Sequence, residues 1–488
     1  MNAMTALCVP SIFHIFEAQK HESGEGFSRE DMSTSVKTSI EQQKSDISGG
    51  SNTVKLSGSC VVGKGILRLS DHEKEHFAHR YSIWNGDASF FIPASGSGSR
   101  MFTELVQFVE SKKETAAIAK FFEELPKLAL FHELPLVVRE KVASLQSIYL
   151  AEYLISGDGM KFPDRPKGLI PFHVTQEGVI NPFQEQLKQA LKLLGENGKV
   201  HYTIQKNFEG QIWDSLQSVG IENLEEKVSF SHQDNATDAY CFNADGEMVM
   251  EDGNPVRRPA GHGALLKNLN AIDSDIVFIK NIDNVQHVNK SELNQRVWKY
   301  CAGLLLEFKS DLQLLVNDFS KEGLAELNDK YQFLSEQEEA DCDVVKLTEY
   351  SKRPFRVCGM VENEGAPGGG PFWIEDEGIV SKQIVEKVQI SDDDKLLVEE
   401  SSHFNPVFIA LSKTDVDGNR LDLEEFVDPS KFLLVNKPYK NGTLRYRELP
   451  GLWNGSMHFW NTVFLEIPKE VFSPVKSVFD LIKEAHQP

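Results

Sequence analysis

The sequence predicts an α/β, Rossmann-like fold: a mostly parallel twisted sheet flanked by helices, with helical insertions. Three observations carry this. Short apolar runs of strand length alternate with longer runs of helical period between Ser89 and Ile467. One junction, at 88–110, reads as strand, glycine-rich loop, helix. Another reads as a helix over Ala264–Leu269, a wholly apolar strand over Ile276–Ile279, then the turn Asn281-Ile282-Asp283-Asn284. A strand apolar on both faces belongs in a sheet covered on both sides, as parallel sheets are.

The elements follow in order. Residues 1–60 read as a weakly ordered N-terminal segment rich in Ser, Glu, Gln and Lys, with a linker over Ser45–Asn52. Residues 61–470 read as the main domain, with helical insertions near 112–158 and 291–340, and residues 471–488 as a C-terminal helix. Ser70 with Glu73 three positions on forms a capping box, which starts a helix running to about residue 80. Ser89–Pro93 is a strand, Ala94–Arg100 a loop and Met101–Glu110 a helix with apolar Met101, Phe102, Leu105, Val106, Phe108 and Val109. Residues 114–156 give two or three helices; 161–173, punctuated by proline, is extended. Pro182–Leu194 is a helix and Val200–Ile204 a strand. Further strands fall at Phe355–Met360, Ile384–Ile390, Val407–Leu411 and Val463–Ile467.

Charge excludes some functions. Against 73 acidic side chains stand 51 basic ones, a net −22. Such a surface repels a phosphate backbone, so no nucleic-acid partner is expected, while one local basic pocket is still allowed. The six cysteines include no CxxC pair, which fits neither a zinc site nor a disulfide framework and suits reduced thiols in a cytoplasmic protein. No apolar run reaches the roughly 18–20 residues of a membrane span, and the N-terminus lacks the pattern of a signal peptide.

Three constellations carry chemistry. In Gly96-Ser97-Gly98-Ser99-Arg100, glycines leave room for backbone N–H groups to surround a phosphate, and Arg100 adds charge. An ordinary strand-to-helix turn would look the same. In Arg165-Pro166-Lys167-Gly168-Leu169-Ile170-Pro171, two prolines present Lys167 at a fixed point, or the lysine is simply solvated. In Pro259-Ala260-Gly261-His262-Gly263, glycines flank a histidine ahead of the buried strand, and Asp283 lies just past that strand. The C-terminal edge of an open sheet is where ligands bind, and Asp283 there suits magnesium, or else caps the turn. Gly58–Gly65 imitates a P-loop but ends in glycine where the metal-binding hydroxyl is required.

Together these segments resemble the nucleotide-diphospho-sugar transferase superfamily. Sugar nucleotidylyltransferases carry a G-x-G-T-R loop and a P-K-x-L-x-P segment, here Gly96–Arg100 and Pro166–Pro171. UDP-sugar pyrophosphorylases add P-x-G-H-G and N-x-D-N, here Pro259–Gly263 and Asn281–Asn284. A closer likeness is to DUF4301, found mainly in Bacteroidetes, over roughly residues 63–467. It is carried by Pro93–Phe102, Arg356–Val361, Pro367–Trp373, His403–Val407 and Gly451–Met457. That family label fixes no reaction. The chain departs from the pyrophosphorylases in Ser95 at the second glycine position, Ser99 for threonine, and a long helical stretch between Arg100 and Lys167.

The pyrophosphorylase resemblance implies transfer of a nucleotidyl group from a nucleoside triphosphate to a sugar 1-phosphate, with release of pyrophosphate. It assigns Arg100 and Lys167 to catalysis and Gly96, Ser97, Gly98, Ser99, Gly261, His262 and Gly263 to the nucleotide. Asp283 would hold Mg2+ (or Mn2+). Asn363, Trp373, His403, Asn405 and Asn454 are sugar-side candidates, Trp373 with core packing as an equal alternative. Lys437 and Lys440 are further phosphate candidates. A glycosyltransferase of the same fold, with Asp392–Asp394 as its acidic motif, and a non-catalytic nucleotide-sugar binder are the alternatives.

Overall fold

Apolar runs that cannot be left in water set the architecture. The computed structural model describes residues 39–363, 369–440 and 442–488. Among them nine strands lie side by side: Val61–Val62 (β1), Gly65–Leu67 (β2), Ala88–Pro93 (β3), Lys199–Thr203 (β4), Val228–Ser231 (β5), Ile276–Lys280 (β6), Phe355–Glu362 (β7), Phe408–Ser412 (β8) and Asn461–Glu466 (β9). Their spatial order is β1-β2-β9-β7-β8-β6-β3-β4-β5, and a tenth strand, His403–Phe404, pairs with the end of β7. Neighbours in the row are parallel except at β8, which runs antiparallel to both β6 and β7. The sheet is therefore the mostly parallel one that the alternation of strands and helices predicts.

Alternate residues feed two cores. Phe90, Ile92, Val200, Tyr202, Phe278, Val357 and Phe408 point to one face. It is covered by helices Asp71–Ser82 (α1), Pro182–Leu194 (α2) and Glu292–Asn317 (α3). Phe91, Val277, Ile279, Cys358, Met360, Ile409 and Phe464 point to the other, covered by Leu265, Leu266, Leu269, Leu452, Trp453 and Met457. At the centre of the first core Trp298 is 2% exposed. It stacks on Phe408 with ring centroids 3.4 Å apart, and meets Phe90 and Phe278 at 5.4 and 5.1 Å.

The capping box at Ser70 and Glu73 forms as expected. From it α1 runs against α3, which the sequence reads as part of an insertion but which is a main cover of the sheet. The two helices touch at Gly303, where a Cβ would lie 1.8 Å from the carbonyl oxygen of Phe77. Gly303→Ala is accordingly expected to force the helices apart and cost about 1–3 kcal/mol, read as a lower denaturation midpoint. A wild-type midpoint would mean the crossing is loose.

The segment 112–158 packs into a third core. Phe108, Phe121, Leu125, Leu150 and Leu154 pack there with Val475, Val478 and Leu481, which lie more than 300 residues further along the chain.

Three further expectations of the element order change. Residues 39–60 are not weakly ordered throughout: a helix spans Ile40–Ser48 and a strand Lys55–Ser59, while 1–38 lie outside the described residues. That polar helix is held by tertiary contacts, Gln43 to the Tyr240 N–H and Asp46 to Arg447, which hydropathy does not register. The strand expected at Ile384–Ile390 is Ile379–Val385, paired with Gly370–Asp376; residues 387–389 form a short turn instead. Beyond β9 the described residues form no continuous C-terminal helix, only 3-10 turns at Lys469–Val471, Val478–Ile482 and Glu484–His486. Backbone groups there bond to another segment: Val475 N–H to the Asp283 carbonyl (3.1 Å), and His287 N–H to the Ala485 carbonyl (2.9 Å). Bonds spent outward cannot close a helix.

Candidate functional site

Because β3 and β6 are parallel neighbours, the loops after them leave the same edge of the sheet. The loop after β3 is zipped onto the segment carrying Lys167. Gly98 N–H donates to the Arg165 carbonyl (2.9 Å), and Lys167 N–H donates to the Gly96 carbonyl (3.0 Å). A side chain at Gly98 would lie 2.5 Å from Ile170 Cδ1, so glycine there permits the close approach of two backbones. Gly98 thus spends its N–H inside the protein. Gly96, Ser97, Ser99 and Arg100 are exposed, with the Ser97 and Ser99 hydroxyls 2.9 Å apart. Segment 161–173 is less extended than expected, since Lys167 opens a 3-10 turn, Lys167–Leu169.

The two halves meet at Asp283. Lys167 Nζ donates to Asp283 Oδ2 at 2.7 Å, and Lys476 Nζ donates to the same oxygen at 3.0 Å. Burial opposes ionisation of Asp283, but the two ammonium groups outweigh it and hold the carboxyl below its ordinary pKa. Burial also pulls Lys167 down; Asp283 opposes this, while Lys476 and Arg100 add to it. Two ammonium groups therefore hold one buried carboxylate, with Arg100 near enough to Lys167 to act on it, beside an exposed glycine loop. A chain of net charge −22 concentrates positive charge at this edge.

Sequence reasoning does not point to Lys476. It lies in a tail that sequence alone reads as a helix, and the Pro474-Val475 pair before it is the one local cue against that reading. The segment around it acts as a strap across the edge. Ser473 N–H donates to Asn284 Oδ1, and Pro474 bridges to Asn284. Further along, His486 Nδ1 lies 2.9 Å from His173 Nε2, and His173 Nδ1 bonds to Glu185.

Burial, reinforced by His173, pushes His486 down to about 3. An imidazole depressed in the fold stabilises nothing further above its unfolded value near 6.5, and costs stability increasingly as pH falls below that. The strap should loosen between roughly pH 6 and 4, seen as faster amide exchange at 473–487. Unchanged exchange over that range would contradict the assignment.

The remaining candidates are dispersed. His262 stacks on Trp453 (centroids 4.0 Å), accepts from the Leu452 N–H, and is pushed by burial to about 4. Gly261 and Gly263 face Glu448 and Pro450: a Cβ would lie 2.4 and 2.0 Å from their oxygens. The Gly-His-Gly segment therefore packs against residues 448–454, and no hydrogen bond joins it to the loop at 96–100 among the described residues. Trp373 is 8% exposed and lies in the second core. His403 contacts Ser402 and Glu466, and Glu466 is gripped by Arg68. Asn405 spends its amide on the Gly359 carbonyl and the Val407 N–H, holding Val407 at φ 59°. Asn454 donates to the Ile384 carbonyl, and its Oδ1 is buried without a partner among the described residues. Asn363 is exposed at the end of β7; residues 364–368, part of the glycine-rich stretch read as sugar-side, lie outside the described residues. Lys437 lies over the Tyr446 ring, while Lys440 pairs with Glu251. Asp392–Asp394 form a 3-10 turn away from the sheet's row of strands.

Gln233 is a second residue that no sequence motif marks. It lies just past β5 on the same edge, and its amide nitrogen is buried without a partner among the described residues.

Similar structures include the UDP-glucose pyrophosphorylase of Leishmania major, 12% identical, over 90% of this chain and 73% of that one, with a TM-score of 0.43. The UDP-N-acetylglucosamine pyrophosphorylase of Trypanosoma brucei is 13% identical over 90% and 73%, with a TM-score of 0.45. A putative UDP-N-acetylglucosamine pyrophosphorylase of Entamoeba histolytica is 11% identical over 82% and 79%, with a TM-score of 0.40. No curated protein matches the chain. None of its helices among the described residues is long and apolar enough to cross a membrane. Residues 26–487 match the domain of unknown function DUF4301, and the chain belongs to that family.

Proposed function

We propose that the protein is a sugar nucleotidylyltransferase: a sugar 1-phosphate oxygen attacks the α-phosphorus of a nucleoside triphosphate, and pyrophosphate leaves. The observation that carries this reading is the convergence of Lys167 and Lys476 on Asp283, beside Arg100 and the loop at 96–100. The motif resemblance supports it for Arg100, Lys167 and Asp283. Such a transfer needs no covalent intermediate; positioning and neutralisation of charge suffice. Arg100, Lys167 and Lys476 would bind the phosphates and stabilise the leaving pyrophosphate. The exposed Ser97 and Ser99 hydroxyls would hydrogen-bond phosphate oxygens. The buried Gln233 amide is a donor for a base carbonyl.

The donor set suits Mg2+ (or Mn2+), which takes one or two carboxylates and fills its sphere with phosphate oxygens and water. Asp283 is the carboxylate that would hold it, kept ionised by its lysines. The bound ion would supply further neutralisation of phosphate charge.

The test is pyrophosphate release across a panel of nucleoside triphosphates and sugar 1-phosphates with Mg2+. Release with one pair is expected. Silence across the panel, with nucleotide binding intact by thermal shift, would make the protein a binding module. Arg100→Ala, Lys167→Ala and Lys476→Ala should each remove about 2–3 kcal/mol of transition-state stabilisation, read as lower kcat/KM.

A further inference from the structure

Away from this edge, three segments distant in sequence bring metal-ligand side chains together. Asp376 ends the strand Gly370–Asp376, Asp428 follows the turn Leu423–Phe426, and His458 follows the turn Gly455–Met457. One ligand atom from each lies within 4.8 Å of the others. The His458 side chain is only 8% exposed, and its Nε2 lies 3.8 Å from Asp428 Oδ2, beyond hydrogen-bond reach. Its ring has no hydrogen-bond partner among the described residues, so a largely buried imidazole stands beside two carboxylates without bonding to either.

The group is already ordered. Asp428 Oδ1 accepts from the Ser430 N–H (2.9 Å) and hydroxyl (2.6 Å), which leaves Oδ2 for another partner. A cation is already present in the form of Lys431, whose Nζ is 2.5 Å from Asp376 Oδ2 and 3.7 Å from Asp428 Oδ2. The ammonium satisfies the carboxylates and leaves the imidazole unmatched.

We propose that Asp376, Asp428 and His458 bind one divalent transition cation, Zn2+ or Mn2+, which displaces the Lys431 ammonium. One imidazole with two carboxylates suits these ions; Mg2+ and Ca2+ prefer oxygen alone. Bonds of about 2.0–2.2 Å need only a modest closing of the three side chains. The ion would clip together segments that the chain joins only through long connections. One of these, 450–458, carries the Trp453 ring on which His262 rests.

The site is independent of Asp283, and the test separates the two. The full chain is dialysed to equilibrium against Zn2+ and bound metal is counted. The wild type should hold an equivalent that Asp283→Asn retains and that Asp376→Asn and His458→Gln weaken more than tenfold. Lys431→Met, which removes the competing ammonium, should tighten binding several-fold. Zn2+ should also raise Tm in the wild type and not in Asp376→Asn. The proposal is overturned if the wild type binds nothing beyond what Asp283→Asn removes, or if Asp376→Asn binds as the wild type does. Asp376 is partly exposed, so that variant decides the matter even where His458→Gln fails to fold.

Discussion

Asp283→Ala is expected to lower Mg2+-dependent pyrophosphate release by ~10³-fold or more, since it removes the carboxylate on which the two lysines converge. Nucleotide binding should fall less, because the cations remain. The substitution has a second consequence. Asp283 is almost fully buried and neutralises Lys167, whose side chain is 14% exposed. Removing one member of a buried ion pair leaves the other uncompensated, at a cost of roughly 3–5 kcal/mol. Lys167 then relieves that cost by giving up its proton more readily, so the alkaline limb of any residual activity should move to lower pH. Asp283→Asn keeps the shape and separates charge from volume. Turnover of Asp283→Asn at the wild-type rate with Mg2+ would falsify the metal assignment.

A large loss of packing stability is expected at Trp298→Ala, about 3–5 kcal/mol by chemical denaturation. Trp298 fills the space between β6, β8 and β3, and its stacking on Phe408 fixes the strand that runs against its neighbours. Alanine there leaves a cavity that three strands and a long helix cannot collapse around. Trp298→Phe, which retains a ring, should cost clearly less. Equal losses for both variants would show that volume is not what the site requires.

Much of this sheet was legible because its strands are apolar on both faces, as at Ile276–Ile279, and a helix carries a cap, as at Ser70. Glycine-rich spacing located the loop at 96–100, and position past a buried strand located Asp283. What sequence did not show were contacts made across long separations. Lys476 joins Asp283 only because the strap docks on the turn at 283–287. The helix Ile40–Ser48 has no apolar stripe and is held by Arg445 and Arg447. Trp373 and His262 have compositions that suit a ligand, and the structure sets them against other side chains, which residue type alone cannot decide.

The strap has a consequence for how the protein is made. A ribosome delivers the loop at 96–100 early, then Lys167 and Asp283, and Lys476 long after all of them. Until the strap emerges, the buried carboxylate has one of its two ammonium partners and the helices at 112–158 lack Val475, Val478 and Leu481 from their core. Chains truncated after residue 470, which keep β9 and lack the strap, should therefore carry a folded sheet with an unfinished mouth, open to proteases around 112–158. On the proposed function, competence to bind nucleotide would then arrive as a late, single event in synthesis.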